Sequence, residues 1–381
     1  MTRTADMVII GGGVNGLATA YNLCRRGMTD IVVIEKGYIG CGASGRCGAG
    51  IRQQWGLDEN IILAHESVKV YERLSEELNF NIFFRQGGYL MLLFDERELD
   101  VISKTVPRHN QLGVPTRLMT PKEIGDMVPG INLAGVIAGA FCPTDGTAYP
   151  YAVLWGYAEA LKKRGVELHT LTEVTRVRKE RGEHYTIETT NGTLTSPRIL
   201  NVAGAYSKDI AAMLGISIPT QPYRHEIAVT EPLKAFLEPM VISPKKGYYF
   251  SQSMRGEIVG GIGDAHEQSS YNTGSSADFL FKYAAALREV FPSLGKARIM
   301  RQWAGLYDVS PDARPIIGTV DGVDGYYHAC GFSGHGFMLA PAISNLMAEL
   351  ITTGNTSMPI EGLNLDRFKE KDLTRDPFVV G

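Results

Sequence analysis

The sequence predicts an α/β fold of two domains that interleave along the chain, and three observations lead there. An apolar run, Met7–Ile10, enters Gly11-Gly12-Gly13-Val14-Asn15-Gly16, and a helical stretch leads on to a second apolar run, Ile31–Ile34, ending in Glu35. Alternating strands, such as Glu226–Thr230 and Gly256–Ile262, fill residues of about 220 to 315. After Pro315-Ile316-Ile317-Gly318 the first kind of pattern returns.

The opening run reads strand, G-x-G-x-x-G, helix, strand, acid, with Glu35 about twenty residues past the last glycine. Gly11 permits the tight turn out of the strand. Gly13 lets main chain approach a pyrophosphate, and Gly16 lets helix pack on strand. Val14 and Asn15 complete the turn and the helix starts at Gly16, so its free N–H groups and positive end face the phosphates. Leu17, Ala18, Ala20, Tyr21, Leu23 and Cys24 give it an apolar face, and Gly27 is placed to stop it. Glu35 can accept from both ribose hydroxyls and would repel a 2′-phosphate, which favours FAD or NAD over NADP. This is a Rossmann-type dinucleotide site.

Bulk properties narrow the classes. The 381 residues suffice for two cores, and 44% hydrophobic content suits a globular chain. A net charge of −3 makes no electrostatic case for nucleic acid. The five cysteines include no C-x-x-C pair, fit a reducing cytoplasm and offer no metal-site spacing. The first strand starts within a few residues, which leaves no room for a signal peptide, and no apolar run suggests a transmembrane segment. No internal repeat or low-complexity linker is visible.

Elements follow in order. Gly87–Leu93 reads as a buried strand, and Pro107, Pro115, Pro121 and Pro129 punctuate loops and helix starts. A helix is expected over Ala152–Arg164, closed by Gly165, with strands at Val166–Leu168 and Glu173–Val177. Ile199–Ala205 is a strand ending in small residues, so Ala203 and Gly204 read as a second main-chain approach to the cofactor. Residues 220–315 are expected to form an antiparallel sheet with one covered face. Residues 1–75, 150–220 and 316–381 are assigned to the cofactor domain, and 76–149 and 221–315 to an α+β substrate domain with a mixed, largely antiparallel sheet.

A second glycine cluster, Cys330-Gly331-Phe332-Ser333-Gly334-His335-Gly336-Phe337, precedes an amphipathic helix through Met338, Leu339, Ala342, Ile343, Leu346, Met347, Leu350 and Ile351. Pro341 is expected in its first turn, and Gly354 closes it. The positive helix end would stabilise charge on a reduced flavin. Glu35 and this cluster are nearly three hundred residues apart, so both ends of the chain would embrace one extended cofactor, which favours FAD over NAD.

These residues resemble the D-amino-acid-oxidase-like FAD oxidoreductases, in particular the flavin-containing β subunits of heterotetrameric sarcosine oxidase and dye-linked L-proline dehydrogenase. The resemblance runs along essentially the whole chain. It rests on Leu17–Tyr21, Glu35-Lys36-Gly37, Gly45-Arg46, Ile51-Arg52, Ser75–Asn79, Gly146-Thr147-Ala148, Arg301-Gln302-Trp303, Pro311-Asp312, Pro315–Gly318 and Gly331–Phe337. It implies a non-covalent FAD at the junction of the two domains. Glu35 and Lys36 would flank the adenosine, and Val174 would meet the adenine through its main chain. Ser44, Gly45, Arg46, Ala49, Gly50 and Ile51 would lie along the ribityl and ring parts, and Gly334, His335, Gly336, Phe337 and Met338 along the pyrimidine edge.

The resemblance also places Arg52 where a substrate carboxylate is bound, with two parallel hydrogen bonds available from its guanidinium. Sarcosine oxidases add a lysine where Met338 stands, so half the cationic clamp is missing. Tyr307 falls at a substrate-facing position, and His225, Tyr248, Tyr249 and His266 lie in the expected substrate sheet, with His225 kept as a catalytic candidate. Pro150 replaces the histidine that carries covalent FMN in the sarcosine oxidases, which leaves non-covalent FMN at a subunit interface open. Gly305 replaces the cysteine that carries covalent FAD in the monomeric oxidases. The expected protein is a cytoplasmic catalytic β subunit that oxidises a secondary amino acid and passes electrons to a larger α subunit. Membrane association through partners stays open. Two other readings also stay open: a flavin-holding subunit whose catalytic centre lies on a partner, and an NAD-dependent dehydrogenase.

Overall fold

The computed structural model describes residues 3–180, 184–369 and 373–379. At its centre is a six-stranded sheet in the order 316–319, 326–330, 199–201, 7–10, 31–34, 167–169. Every neighbouring pair is parallel except the first, 316–319 with 326–330. Strands Met7–Ile10 and Ile31–Ile34 are buried along their whole length, as continuous apolar runs in a parallel sheet should be. Alternate side chains part to opposite faces. Met7, Ile9, Ile31 and Val33 pack with helices Val14–Arg25 and Gly336–Thr353. Val8, Ile10, Val32 and Ile34 pack with Val174, Val177, Tyr185, Ile187 and Leu194, which belong to a four-stranded sheet ordered 3–4, 192–196, 185–189, 174–179.

The second large sheet has eight strands, ordered 299–309, 221–230, 258–262, 248–252, 240–243, 89–93, 138–142, 117–119. It is antiparallel except where Met240–Ser243 runs parallel to Tyr89–Leu93. The expectation of one covered face is corrected: Tyr248–Gln252 and Met240–Ser243 are buried throughout. Leu90, Leu92, Val241, Tyr248 and Phe250 pack with helix Ala277–Val290. Tyr89, Met91, Met240, Ile242 and Tyr249 form a separate buried cluster on the other face, which turns toward the cavity described below.

The helix expected over 152–164 spans Pro150–Lys162, with proline in its first turn, and Gly165 follows at φ +80°. The last long helix starts at Gly336, two residues before the expected run, and ends on a left-handed Gly354. Pro341 therefore lies in the second turn rather than the first. It has no N–H to give the carbonyl of Phe337, and the hydroxyl of Tyr71, on helix Asp58–Glu77, donates to that carbonyl instead (2.6 Å). No helix among the described residues is long and apolar enough to cross a membrane.

Candidate active site

A cavity of about 620 Å³ runs between the two large sheets. At one end the carboxylate of Glu35 accepts the N–H groups of Gly12 and Gly37, both at 2.9 Å, and the Cys41 thiol at 3.4 Å. This locks the acid at the end of its strand against the glycine turn. Beside it the Lys36 ammonium sits 3.0 Å from the centre of the Tyr206 ring, and Tyr206 stacks on Tyr271 at 4.8 Å. Val174 also lines this end.

The glycine turn comes next. The N–H of Gly11 is held by Ile34 O (2.8 Å), and a side chain on Gly11 would stand 2.4 Å from Val202 O. The Ser44 hydroxyl accepts the N–H of Val14 (3.0 Å) at the start of the first helix. Ala203 and Gly204 close the turn from the neighbouring strand. The main chain thus forms a cradle with no room for side chains at the helix end that favours anions, which suits a pyrophosphate.

At the far end, residues 48–50 press against two tyrosines. A Cβ at Gly48 would stand 2.6 Å from the Tyr249 ring, and one at Gly50 2.0 Å from the Tyr89 hydroxyl. His225 stacks face to face on Tyr307 (4.4 Å, 13°), and its buried Nε2 has no partner among the described residues. Burial pushes its pKa down to about 4, so the ring is neutral at pH 7 and can accept a hydrogen bond. Opposite stands Gly334, at φ +89°, where any Cβ would stand 2.3 Å from the Tyr307 ring. Arg52 is 2% exposed, and its guanidinium lies 4.0 Å from the centre of the Trp55 ring. Burial lowers its pKa, but Tyr89, Asp376 and Asp145 nearby favour its charge. Among the described residues it has no ion pair.

The cavity wall carries Gly11, Gly13, Val14, Asn15, Glu35, Lys36, Ser44, Arg46, Ala49, Gly50, Arg52, Val174, Ala203, Gly204, His225, Tyr307, Gly334, His335, Gly336, Phe337 and Met338. Gly16, Gly45 and Ile51 lie one layer behind it. A Cβ at Gly16 would stand 2.0 Å from Gly11 O, and one at Gly45 2.1 Å from Gly40 O, so both glycines serve close main-chain packing. Ile51 is fully buried and pairs with Gly146. Tyr248 faces the helix side of its sheet and His266 is exposed, so neither lies at the cavity.

Sequence reasoning missed Tyr89, Tyr206 and Asp308. Asp308 lines the cavity and accepts the N–H of Gly331 (2.6 Å), and its buried Oδ1 has no hydrogen-bond partner among the described residues. Burial pushes its pKa up to about 6. Strand alternation next to Tyr307 places it on the opposite face of the strand, but nothing local shows that this face also borders the cavity.

The long cavity, the side-chain-free cradle at one end and the orphaned polar atoms near the other fit a dinucleotide extended between the sheets. Residues 6–350 match the family model described as FAD dependent oxidoreductase. The chain belongs to this FAD-dependent oxidoreductase family. The β subunit of sarcosine oxidase from Rhodobacter capsulatus is 34% identical, over 99% of this chain and 91% of its own length. Human mitochondrial dimethylglycine dehydrogenase is 28% identical over 97% of this chain, which spans 45% of that longer protein. Among solved structures, L-proline dehydrogenase from P. horikoshii superposes with a TM-score of 0.92 at 38% identity, covering 98% of this chain and 100% of that one. In an FAD-dependent oxidoreductase the cradle residues and Glu35 would be the groups to hold the adenosine diphosphate half of the cofactor.

Proposed function

We propose that this chain is the catalytic β subunit of an enzyme that oxidises a secondary amino acid of the L-proline, hydroxyproline, sarcosine or opine type. The observation that carries this reading is Arg52: a buried guanidinium without an ion pair among the described residues, on the wall of the same cavity end as His225, Tyr307 and the Gly334–Met338 turn. A buried cation calls for an anion, and an amino-acid carboxylate meets that need with two parallel hydrogen bonds. Met338 contributes an apolar surface in place of a second cation, which suits a ring or N-alkyl group beside the carboxylate. His225, kept neutral by burial, offers its Nε2 as an acceptor that orients a substrate N–H. The stacked Tyr307 and the nearby Tyr249 ring exclude water from one side. Bound FAD would supply the acceptor for the hydride that leaves the carbon beside nitrogen, and the iminium so formed would lose its N–H proton to solvent as the imine.

A partner face is also supported. Tyr38, Phe83, Tyr149 and Trp155 are exposed around Pro150, and interfaces enrich exposed aromatics of this kind. We assign to this face a larger subunit that accepts the electrons, with non-covalent FMN between the two chains. An anaerobic screen of flavin reduction by N-alkyl and cyclic imino acids tests the main reading. Bleaching by one of them, lost in Arg52→Ala, supports it. If no candidate bleaches the isolated chain's flavin, the alternative of a flavin-holding electron-transfer subunit gains. Turnover with oxygen against an artificial dye then separates oxidase from dehydrogenase.

A further inference from the structure

We infer that the segment Leu373–Val379 is a positioning element of the substrate end, setting the guanidinium of Arg52 and with it the carboxylate affinity of the site. The inference rests on the reading of Arg52 given above.

The segment is anchored by Asp376, which is 1% exposed. Its carboxylate accepts the N–H groups of Gly56 (3.0 Å), Leu57 (3.0 Å) and Phe378 (3.0 Å) and the side-chain amide of Asn60 (2.9 Å). Three of these donors belong to the turn that leads into helix Asp58–Glu77 and to its first residues, more than three hundred positions earlier in the chain. Pro377 packs on the same turn so closely that a Cβ at Gly56 would stand 2.4 Å from Pro377 Cδ. Phe378 is 4% exposed and shares a buried cluster with Tyr89, Met240 and Tyr249, all of which line the cavity.

The segment then reaches the arginine. The carbonyl of Phe378 accepts from Nη2 of Arg52 at 2.8 Å, and the carbonyl of Gln54 accepts from Nη1. With the Trp55 ring against its face, the guanidinium is fixed in plane and in rotation. It has five N–H donors, so these two contacts leave others for a ligand. The nature of the acceptors matters as much as their position. Main-chain carbonyls orient the cation without cancelling its charge, whereas a carboxylate here would fill the role meant for substrate.

The test uses the FAD-loaded protein and acetate as an unreactive carboxylate, with binding read from the perturbed flavin absorbance. Phe378→Ala and Asp376→Asn are expected to weaken acetate binding on the order of tenfold, as displaced positioning groups do. Flavin content of Phe378→Ala should stay near that of the parent although its thermal midpoint falls with the lost burial, Phe378→Leu should restore affinity, and Arg375→Ala, on the exposed side, should change nothing. If Asp376→Asn fails to fold, Phe378→Ala decides alone. Unchanged acetate affinity in Phe378→Ala overturns the inference. Tighter binding overturns it too, because the carbonyl would then be a competitor of the ligand. Acetate binding that ignores Arg52→Ala refutes the reading of Arg52 itself and is recognisable as that separate failure.

Discussion

Replacing Gly11 by alanine strikes the cofactor cradle where it is tightest. Gly11 sits at φ +123°, and an added methyl would stand 2.4 Å from the oxygen and 2.8 Å from the carbon of the Val202 carbonyl. Both are main-chain atoms, so no rotamer change relieves the clash. Carbon–oxygen contacts settle near about 3.3 Å, so the turn and the end of strand Ile199–Asn201 must part by roughly 1 Å. That movement strains two hydrogen bonds, Val202 N–H to Ile10 O (3.0 Å) and Gly11 N–H to Ile34 O (2.8 Å). The conformation costs an alanine about 1–3 kcal/mol, and each weakened bond about 1 kcal/mol, for a total of roughly 3–5 kcal/mol. Even if only part of this falls on the holo form, FAD affinity drops by about a hundredfold. Parent and variant should be purified in parallel and their flavin-to-protein ratios read from absorbance, followed by titration of FAD into the stripped proteins. The variant should emerge largely colourless. A variant that keeps FAD at the parent's stoichiometry, with a Kd within about threefold, would refute the cradle argument.

Other outcomes are expected away from the cradle. Asp312 and Arg367 form a buried bidentate pair (2.7 and 3.0 Å), and Asp312→Ala strands the guanidinium, so stability should fall by about 3–5 kcal/mol in denaturant melts; a loss below about 1 kcal/mol would count against a working pair. Burial opposes ionisation of Asp312, but Arg367 and the N–H of Arg314 outweigh it and hold its pKa below the usual value; the pair's contribution is therefore full at neutral pH and disappears as pH falls through that lowered value. Asp145 behaves in the opposite sense. Burial raises it to about 6 against hydrogen bonds from Gln53 and Gln54, so its contribution is full in acid and declines as pH rises through about 6. Asp145→Asn cannot titrate, and the stability difference between variant and parent should move in the variant's favour, on the order of 2 kcal/mol, between about pH 4 and pH 7. A pH-independent difference would contradict this.

What could be read from the sequence was what local spacing encodes. The Gly11–Gly16 turn, Glu35 and the Gly334–Met338 turn each announce themselves within one strand–turn–helix unit, because glycine, acid and helix start must fall at set distances. Continuous apolar runs likewise marked Met7–Ile10 and Tyr89–Leu93 as buried. Pairing between distant strands was not legible. Nothing in Met240–Ser243 says that it lies parallel to Tyr89–Leu93, so Tyr89 could be read as buried but not as a cavity tyrosine. Pro341 was misplaced by a turn because the compensation for its missing N–H, the Tyr71 hydroxyl, comes from a different helix. Asp376 and Phe378 carried no signal at all, since their partners Gly56 and Arg52 lie at the other end of the chain.

The order of strands in the central sheet has a consequence for synthesis. Strand Met7–Ile10 leaves the ribosome early, but its neighbour on one side is Ile199–Asn201, and the next strand over is Tyr326–Cys330. The glycine turn therefore waits through about half of translation with one flank unpaired. The far wall of its cavity, Gly334–Met338, arrives only with the last tenth or so of the chain. Contacts of such long sequence separation form late and slowly. The flavin-facing end of the cavity is thus completed only in the final stage of folding, after the glycine turn, Glu35 and the Ala203–Gly204 flank have been synthesised.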